Sequence, residues 1–217
     1  MQLEKLTPAE LDTHVQNGTF RLAFVGMSNA GKSYRSRVLK DTLDFVWFQV
    51  DEGIQETLGF RTIEEISEWL GYPTDAGYDE REEKYLELEN ELTKHASMQT
   101  DGKNLVFDTT GSVVHLADST LRRLHENCLV VHLDVGDDSL GSLVERFFEE
   151  PKPVAWSGFL NHKMGETTED AVRRCYPELL SFRLKHYRAL AHVNVPVHEV
   201  HDATAEETLE VIKRHLH

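Results

Sequence analysis

The sequence predicts an α/β fold in which a mostly parallel sheet is covered by helices on both faces, and three observations predict it. Apolar runs of strand length alternate with helix-like stretches along the chain, the pattern that right-handed β-α-β crossovers impose on a parallel sheet. A glycine-bearing segment, Gly26 to Ser33, sits where the first strand gives way to the first long helix. The second and third strands run into aspartates, Asp51 and Asp108, and in open sheets of this kind ligands bind beyond the carboxyl ends of the strands.

Each element follows in order. A short amphipathic helix starts near Thr7-Pro8, and Phe20 to Gly26 reads as a buried strand ending in glycine. A helix over 33–43 leads to the aromatic and β-branched run Phe45 to Val50, the second strand. Helical sequence from Asp51 to Gly71 is broken at Gly59, and a long charged helix from Tyr78 to about Met98 precedes the third strand, Asn104 to Phe107. Mixed signs at i,i+4 spacing mark that charged helix as a solvated face. Cys128 to Leu133 and Val195 to Val200 are the fourth and fifth strands, with helices over 140–148, 167–191 and 205–216. No Pro/Gly/Ser-rich linker divides the chain, so residues 1–217 read as one domain.

Composition narrows the function. With 40% hydrophobic residues the chain has enough apolar material for a core of its own. The formal net charge of -15 argues against nonspecific nucleic-acid binding and against docking on an anionic membrane. Any anion must then be held by a local site. Cys128 and Cys175 read as core thiols in a reducing cytoplasm. No apolar run reaches membrane-spanning length and the first twenty residues lack the apolar stretch of a leader. The expectation is a cytoplasmic protein, monomeric or weakly homodimeric. His186, His192, His198 and His201 lack the spacing of a metal site.

Gly26-Met27-Ser28-Asn29-Ala30-Gly31-Lys32-Ser33 fits G-x-x-x-x-G-K-[ST] between a strand and a helix. The glycines permit backbone amides to curl around a phosphate, Lys32 adds a positive charge, and the helix N-terminus points at the same anion. The Ser33 hydroxyl is suited to magnesium. These residues, with Tyr34 next in sequence, predict a three-layer α/β/α P-loop NTPase fold that takes ATP with Mg2+. Asp108, at the end of the third strand, is the candidate for the magnesium shell. Asp51 then faces the acceptor, to orient its hydroxyl or take its proton. The competing reading of both aspartates is a helix N-cap.

Across most of residues 20–216 the chain resembles the shikimate kinases. Besides the phosphate loop, Phe48-Gln49-Val50-Asp51 is similar to that family's aromatic-Asp-x-Asp, and Arg81-Glu82-Glu83-Lys84 to the charged segment opening its substrate-side helix. Gly111-Ser112-Val113 resembles the end of its glycine-rich turn. The resemblance implies that Arg146 lies near the adenine, that Lys152-Pro153 belongs to a lid, that Arg183, followed by Tyr187, binds substrate, and that His201-Asp202-Ala203 approaches the adenine. Departures fall on the acceptor side. Gln49 replaces an aspartate, Thr109 and Thr110 replace glycines, Lys152 replaces an arginine, and Asp79 stands where the family holds a substrate carboxylate with arginine. The bland readings are a solvated lysine for Lys152, a helix C-terminal charge for Arg146 and a surface ion pair for Arg183.

Segment 149–166, rich in Pro and Gly, is long for a connection between helices and reads as a mobile lid. Together these features predict phosphoryl transfer from ATP to a small hydroxylated acceptor other than shikimate. A nucleotide-hydrolysing switch that acts with a protein partner is the alternative.

Overall fold

The structure is a computed structural model that describes residues 3–216; the outermost positions of the expected unit 1–217 lie outside it. Its five strands are β1 (Arg21–Val25), β2 (Val46–Gln49), β3 (Leu105–Asp108), β4 (Leu129–Asp134) and β5 (Val193–Pro196). They form one sheet in the order β2-β3-β1-β4-β5, and all four pairings are parallel. The helices are α1 (Pro8–Gln16), α2 (Lys32–Leu43), α3 (Val50–Leu58), α4 (Ile63–Leu70), α5 (Tyr78–Thr93), α6 (Asp118–Asn127), α7 (Leu140–Glu149), α8 (Thr168–Leu190) and α9 (Ala205–Arg214).

Sequence chemistry accounts for most boundaries. Thr7, Thr62, Thr167 and Thr204 each close a capping box with an acidic residue three positions on, which satisfies backbone donors that a helix start leaves open. Gly59 takes a left-handed conformation, φ 75°, and stops α3, so the predicted helical stretch over 51–71 is two helices. The fifth strand begins earlier than the run Val195 to Val200 and ends at Pro196, which has no N–H to extend the ladder; Val197–Glu199 is a 3-10 turn. The charged helix stops at Thr93 and tightens into a 3-10 turn over Lys94–Ser97.

Strands β1 and β3 are buried along nearly their whole length, as expected for a sheet covered on both sides. The register sets Asp108 between Phe24 of β1 and Gln49 of β2, so the carboxyl ends of the central strands are level. Cys128 and Cys175 are buried free thiols. Among the described residues no helix is long and apolar enough to cross a membrane.

Candidate functional site

At the end of β1 the chain turns through Gly26, φ 143°, where an added Cβ would stand 3.0 Å from the Leu133 carbonyl oxygen. Gly31, φ 89°, is the N-cap of α2, and no side chain caps that helix. Its first N–H groups are therefore unspent and face the loop, the arrangement that makes a helix start an anion site. Lys32 is buried, and its Nζ donates to the carbonyls of Gly26 and Met27, each at 3.0 Å. Burial holds the ammonium below its ordinary pKa, while the carboxylates of Asp108 and Asp51 pull it back up. A tethered cation of this kind is ready to exchange loop carbonyls for phosphate oxygens.

Asp108 is 5% exposed and its Oδ1 has no hydrogen-bond partner among the described residues. Burial pushes its carboxyl up to about 6, against the pull of Lys32 and of the neighbouring Ser33 hydroxyl. A buried, unpartnered carboxylate oxygen beside a hydroxyl is an oxygen donor set suited to a hard divalent cation. Asp108 caps no helix, because the next turn, Val113–His115, has Ser112 as its N-cap.

Asp51 does not end the second strand. β2 stops at Gln49, which is the N-cap of α3, and Asp51 lies in the first helical turn. The cap reading therefore fails for Asp51 as well. Its carboxylate stays accessible to solvent but is ringed by protein that raises its pKa, opposed by Lys32 and Lys152.

Lys32 and Asp51 meet in a cleft of about 580 Å³, whose lining includes Ser33 but not the buried Asp108. One wall is the phosphate loop and the start of α2, with Ser28, Asn29, Gly31, Lys32, Ser33 and Tyr34. Asp51 and Gly111 border the other side, and Arg146 and Lys152 join them from α7 and the segment after it. Beside Ala30 and Tyr34 a further pocket of about 340 Å³ is lined by His201 and Asp202. Arg35 anchors that loop by donating to the carbonyls of Ala203 and, at 3.3 Å, His201. Buried arginine on the inner face of α2 is a feature that sequence reasoning passed over.

Several predicted residues lie elsewhere. Asp79 is exposed and lines a groove with Glu82 and Glu83, away from the cleft, because the start of α5 turns that face outward. Thr109 is buried, outside the lining of the cleft, and its hydroxyl donates to the Phe24 carbonyl of β1 at 2.8 Å. Arg183, by contrast, is buried next to the cleft: it lines a small side cavity that shares Ser28, Asn29 and Lys152 with it. It donates to His115 Nε2 at 3.1 Å and to the Ala155 carbonyl at 2.8 Å. Burial and the Arg183 charge hold His115 down at about 3, so the imidazole is neutral and can accept.

Within 149–166 the middle is packed down. Trp156 is 1% exposed among Phe147 and Tyr176, and its backbone N–H donates to the Tyr78 hydroxyl at 3.1 Å. Arg174 ties the far end through Glu166 at 2.7 Å.

One carboxylate escaped notice altogether. Glu89, on the charged helix α5, is fully buried and accepts hydrogen bonds from the hydroxyls of Thr110 and Ser112, the latter at 2.5 Å. Burial pushes it up to about 7. The signal was present: Tyr78, Tyr85, Glu89 and Thr93 are the buried positions of α5, spaced as one helical stripe.

The shikimate kinase family model matches residues 28–213. The chain belongs to the shikimate kinase family. Shikimate kinases also appear among the similar solved structures. That of Bacteroides thetaiotaomicron has a TM-score of 0.58 at 19% identity, over 90% of this chain and 97% of its own. The Acinetobacter baumannii enzyme, in complex with shikimate, has a TM-score of 0.54 at 23% identity, over 90% and 92%. The Aquifex aeolicus enzyme has 0.53 at 19%, over 88% and 92%. At such identities these structures support the fold alone. No curated protein matches the sequence. As a member of the shikimate kinase family the chain is a P-loop kinase that transfers a phosphoryl group to a small molecule.

Proposed function

We propose that this kinase uses ATP with Mg2+ and phosphorylates a hydroxyl of a small metabolite other than shikimate. The observation that carries the reading is the buried, unpartnered Asp108 Oδ1 beside Ser33, at the mouth of an uncapped helix that begins with Lys32. Loop amides from 26–33 and the Lys32 ammonium hold the phosphates. Ser33 and Asp108 would hold the magnesium, whose charge when bound neutralises phosphate oxygens. Tyr34, half exposed between the two pockets, and the loop 201–203 receive the adenine, with Arg146 on the cleft side.

In the transfer the acceptor oxygen bonds to the terminal phosphorus as the bond from phosphorus to the bridging oxygen of ADP breaks. Asp51 orients the acceptor hydroxyl and takes its proton; Lys152 adds positive charge toward the moving phosphoryl group. The bends flanking the packed middle of 149–166 are where a lid would move, carrying Lys152 with it.

The test incubates the protein with Mg-ATP and a panel of sugars, polyols, nucleosides, hydroxy acids and shikimate. Acceptor-dependent ADP release is expected, weakest with shikimate. Release that ignores every acceptor, and rises only when a cell extract supplies a protein partner, would point to a nucleotide-driven switch.

A further inference from the structure

The middle of segment 149–166 is held through its backbone by side chains from two helices. The Ala155 carbonyl and the N–H groups of Trp156 and Ser157 lie outside any helix or strand, and buried backbone groups in such a stretch need partners from elsewhere. Arg183 of α8 donates from Nη2 to the Ala155 carbonyl at 2.8 Å. From the first turns of α5 the Tyr78 hydroxyl accepts the Trp156 N–H at 3.1 Å, and Glu82 Oε1 accepts the Ser157 N–H at 2.9 Å. Tyr78 also donates its hydroxyl to that same Glu82 oxygen, so two residues at i,i+4 spacing on α5 act as one clasp. Packing against Phe147 and Tyr176 fixes the Trp156 indole, while the clasp fixes the course of the backbone beside it.

The clasp bears on the cleft through Lys152. Only Pro153 and Val154 separate that lysine from the held stretch; the proline ring fixes φ, and Val154 is buried. Lys152 lines the cleft together with Lys32, Ser33 and Asp51. Neither Tyr78 nor Glu82 lines it, and Glu82 borders the outer groove with Asp79.

We propose that Tyr78 and Glu82 are positioning residues for phosphoryl transfer: through the backbone of Trp156 and Ser157 they set where the Lys152 ammonium stands in the cleft. The proposal rests on the reading of Lys152 above, as a charge aimed at the terminal phosphoryl group, and adds what places it there.

Titration calorimetry in the presence of Mg2+ tests it with two nucleotides, ADP and an ATP analogue whose outer phosphorus atoms are joined through nitrogen. The ratio of their affinities reports contacts to the terminal phosphate and needs no acceptor. Lys152→Met should lower the preference for the triphosphate by about tenfold, the scale of one charge-assisted hydrogen bond. Glu82→Ala should lower it by about threefold or more, and Glu82→Gln, whose amide oxygen still accepts from Ser157, should keep it. Added to Lys152→Met, Glu82→Ala should change the preference further by less than about twofold. Glu82→Ala that weakens both nucleotides alike, or that adds its full loss to that of Lys152→Met, shows a merely structural role and overturns the proposal while Lys152 keeps its place. Glu82→Gln that loses as much as Glu82→Ala assigns the effect to charge and overturns the clasp as well. An undiminished preference in Lys152→Met removes Lys152 from the terminal phosphate, and this proposal with it. Tyr78→Phe, which keeps the ring and loses only the hydroxyl, runs the same cycle should Glu82→Ala fail to fold.

Discussion

Replacing Glu89 by glutamine should stabilise the protein, and more so as the pH rises. The carboxyl is fully buried, and its pKa rises from the ordinary 4.5 to about 7, first through burial, with the charge of Asp51 adding to it. The hydroxyls of Ser112 and Thr110 and the charge of Arg183 oppose that rise without cancelling it. In the pH window between 4.5 and 7 the folded chain holds a proton that the unfolded chain has released, so stability falls as the pH climbs through it. At 1.36 kcal/mol per tenfold change in proton affinity the cost of the ionised form reaches about 3 kcal/mol above pH 7. Glutamine keeps the shape and can accept from Thr110 and donate to Ser112 without ever ionising. For a chain of this size a kilocalorie corresponds to roughly 2–4 °C in Tm. Scanning calorimetry of both proteins at pH 5 and pH 8 is the assay. The advantage of Glu89→Gln should grow by about 2–3 kcal/mol, or roughly 5–10 °C, between the two. An advantage that stays constant, or shrinks toward pH 8, refutes the buried-carboxylate reasoning.

Other substitutions separate structural from functional roles. Lys32→Ala removes the ammonium held by the loop carbonyls and should weaken Mg-ATP binding by about tenfold to a hundredfold in titration calorimetry, the worth of a charge-assisted hydrogen bond; unchanged affinity would take Lys32 out of the site. Asp108→Asn should raise the magnesium concentration needed for half-maximal turnover, and an unshifted requirement would assign the metal elsewhere. Thr109→Val should cost about 1 kcal/mol of stability by removing the hydroxyl's bond to the Phe24 carbonyl, which keeps only the Thr109 N–H, with KM for the acceptor unaltered; a raised KM would return Thr109 to the substrate site. Lys152→Arg should retain most of the kcat that Lys152→Met loses, and equal rates in the two variants would make Lys152 a bystander.

How far the sequence reached is clear from particular residues. The strand, loop and helix around Lys32 were legible because each signal was local: an apolar run, glycines at left-handed positions and a fixed spacing. Asp108 was legible for the same reason, since β3 is short, buried and ends in a charge. Asp51 was legible as the junction of the second strand and the helix after it, but not to the residue, because nothing local marks whether Val50 closes β2 or opens α3. Helix α5 misled in both directions. Asp79 reads as a substrate neighbour through the family resemblance and Glu89 as solvated surface through the mixed charges around it; only the folded chain puts Asp79 in an outer groove and Glu89 against Thr110 and Ser112. Thr109 shows the same limit, and the bonds that two nitrogens of Arg183 make to His115 and Ala155 are as little visible in the sequence. A residue type and a position predict chemistry, but whether the hydrogen-bonding atoms face a ligand or another part of the chain is a tertiary fact. Segment 149–166 carried lid-like Pro and Gly, yet Trp156 in its middle is core.

Asp79 lies in a groove with Glu82 and Glu83, outside the lining of the cleft.

Phosphorus NMR of the reaction products tests the phosphotransfer most directly. With Mg-ATP and the panel of acceptors, a new phosphomonoester resonance should grow in step with ADP. Growth of ADP with inorganic phosphate alone would contradict it.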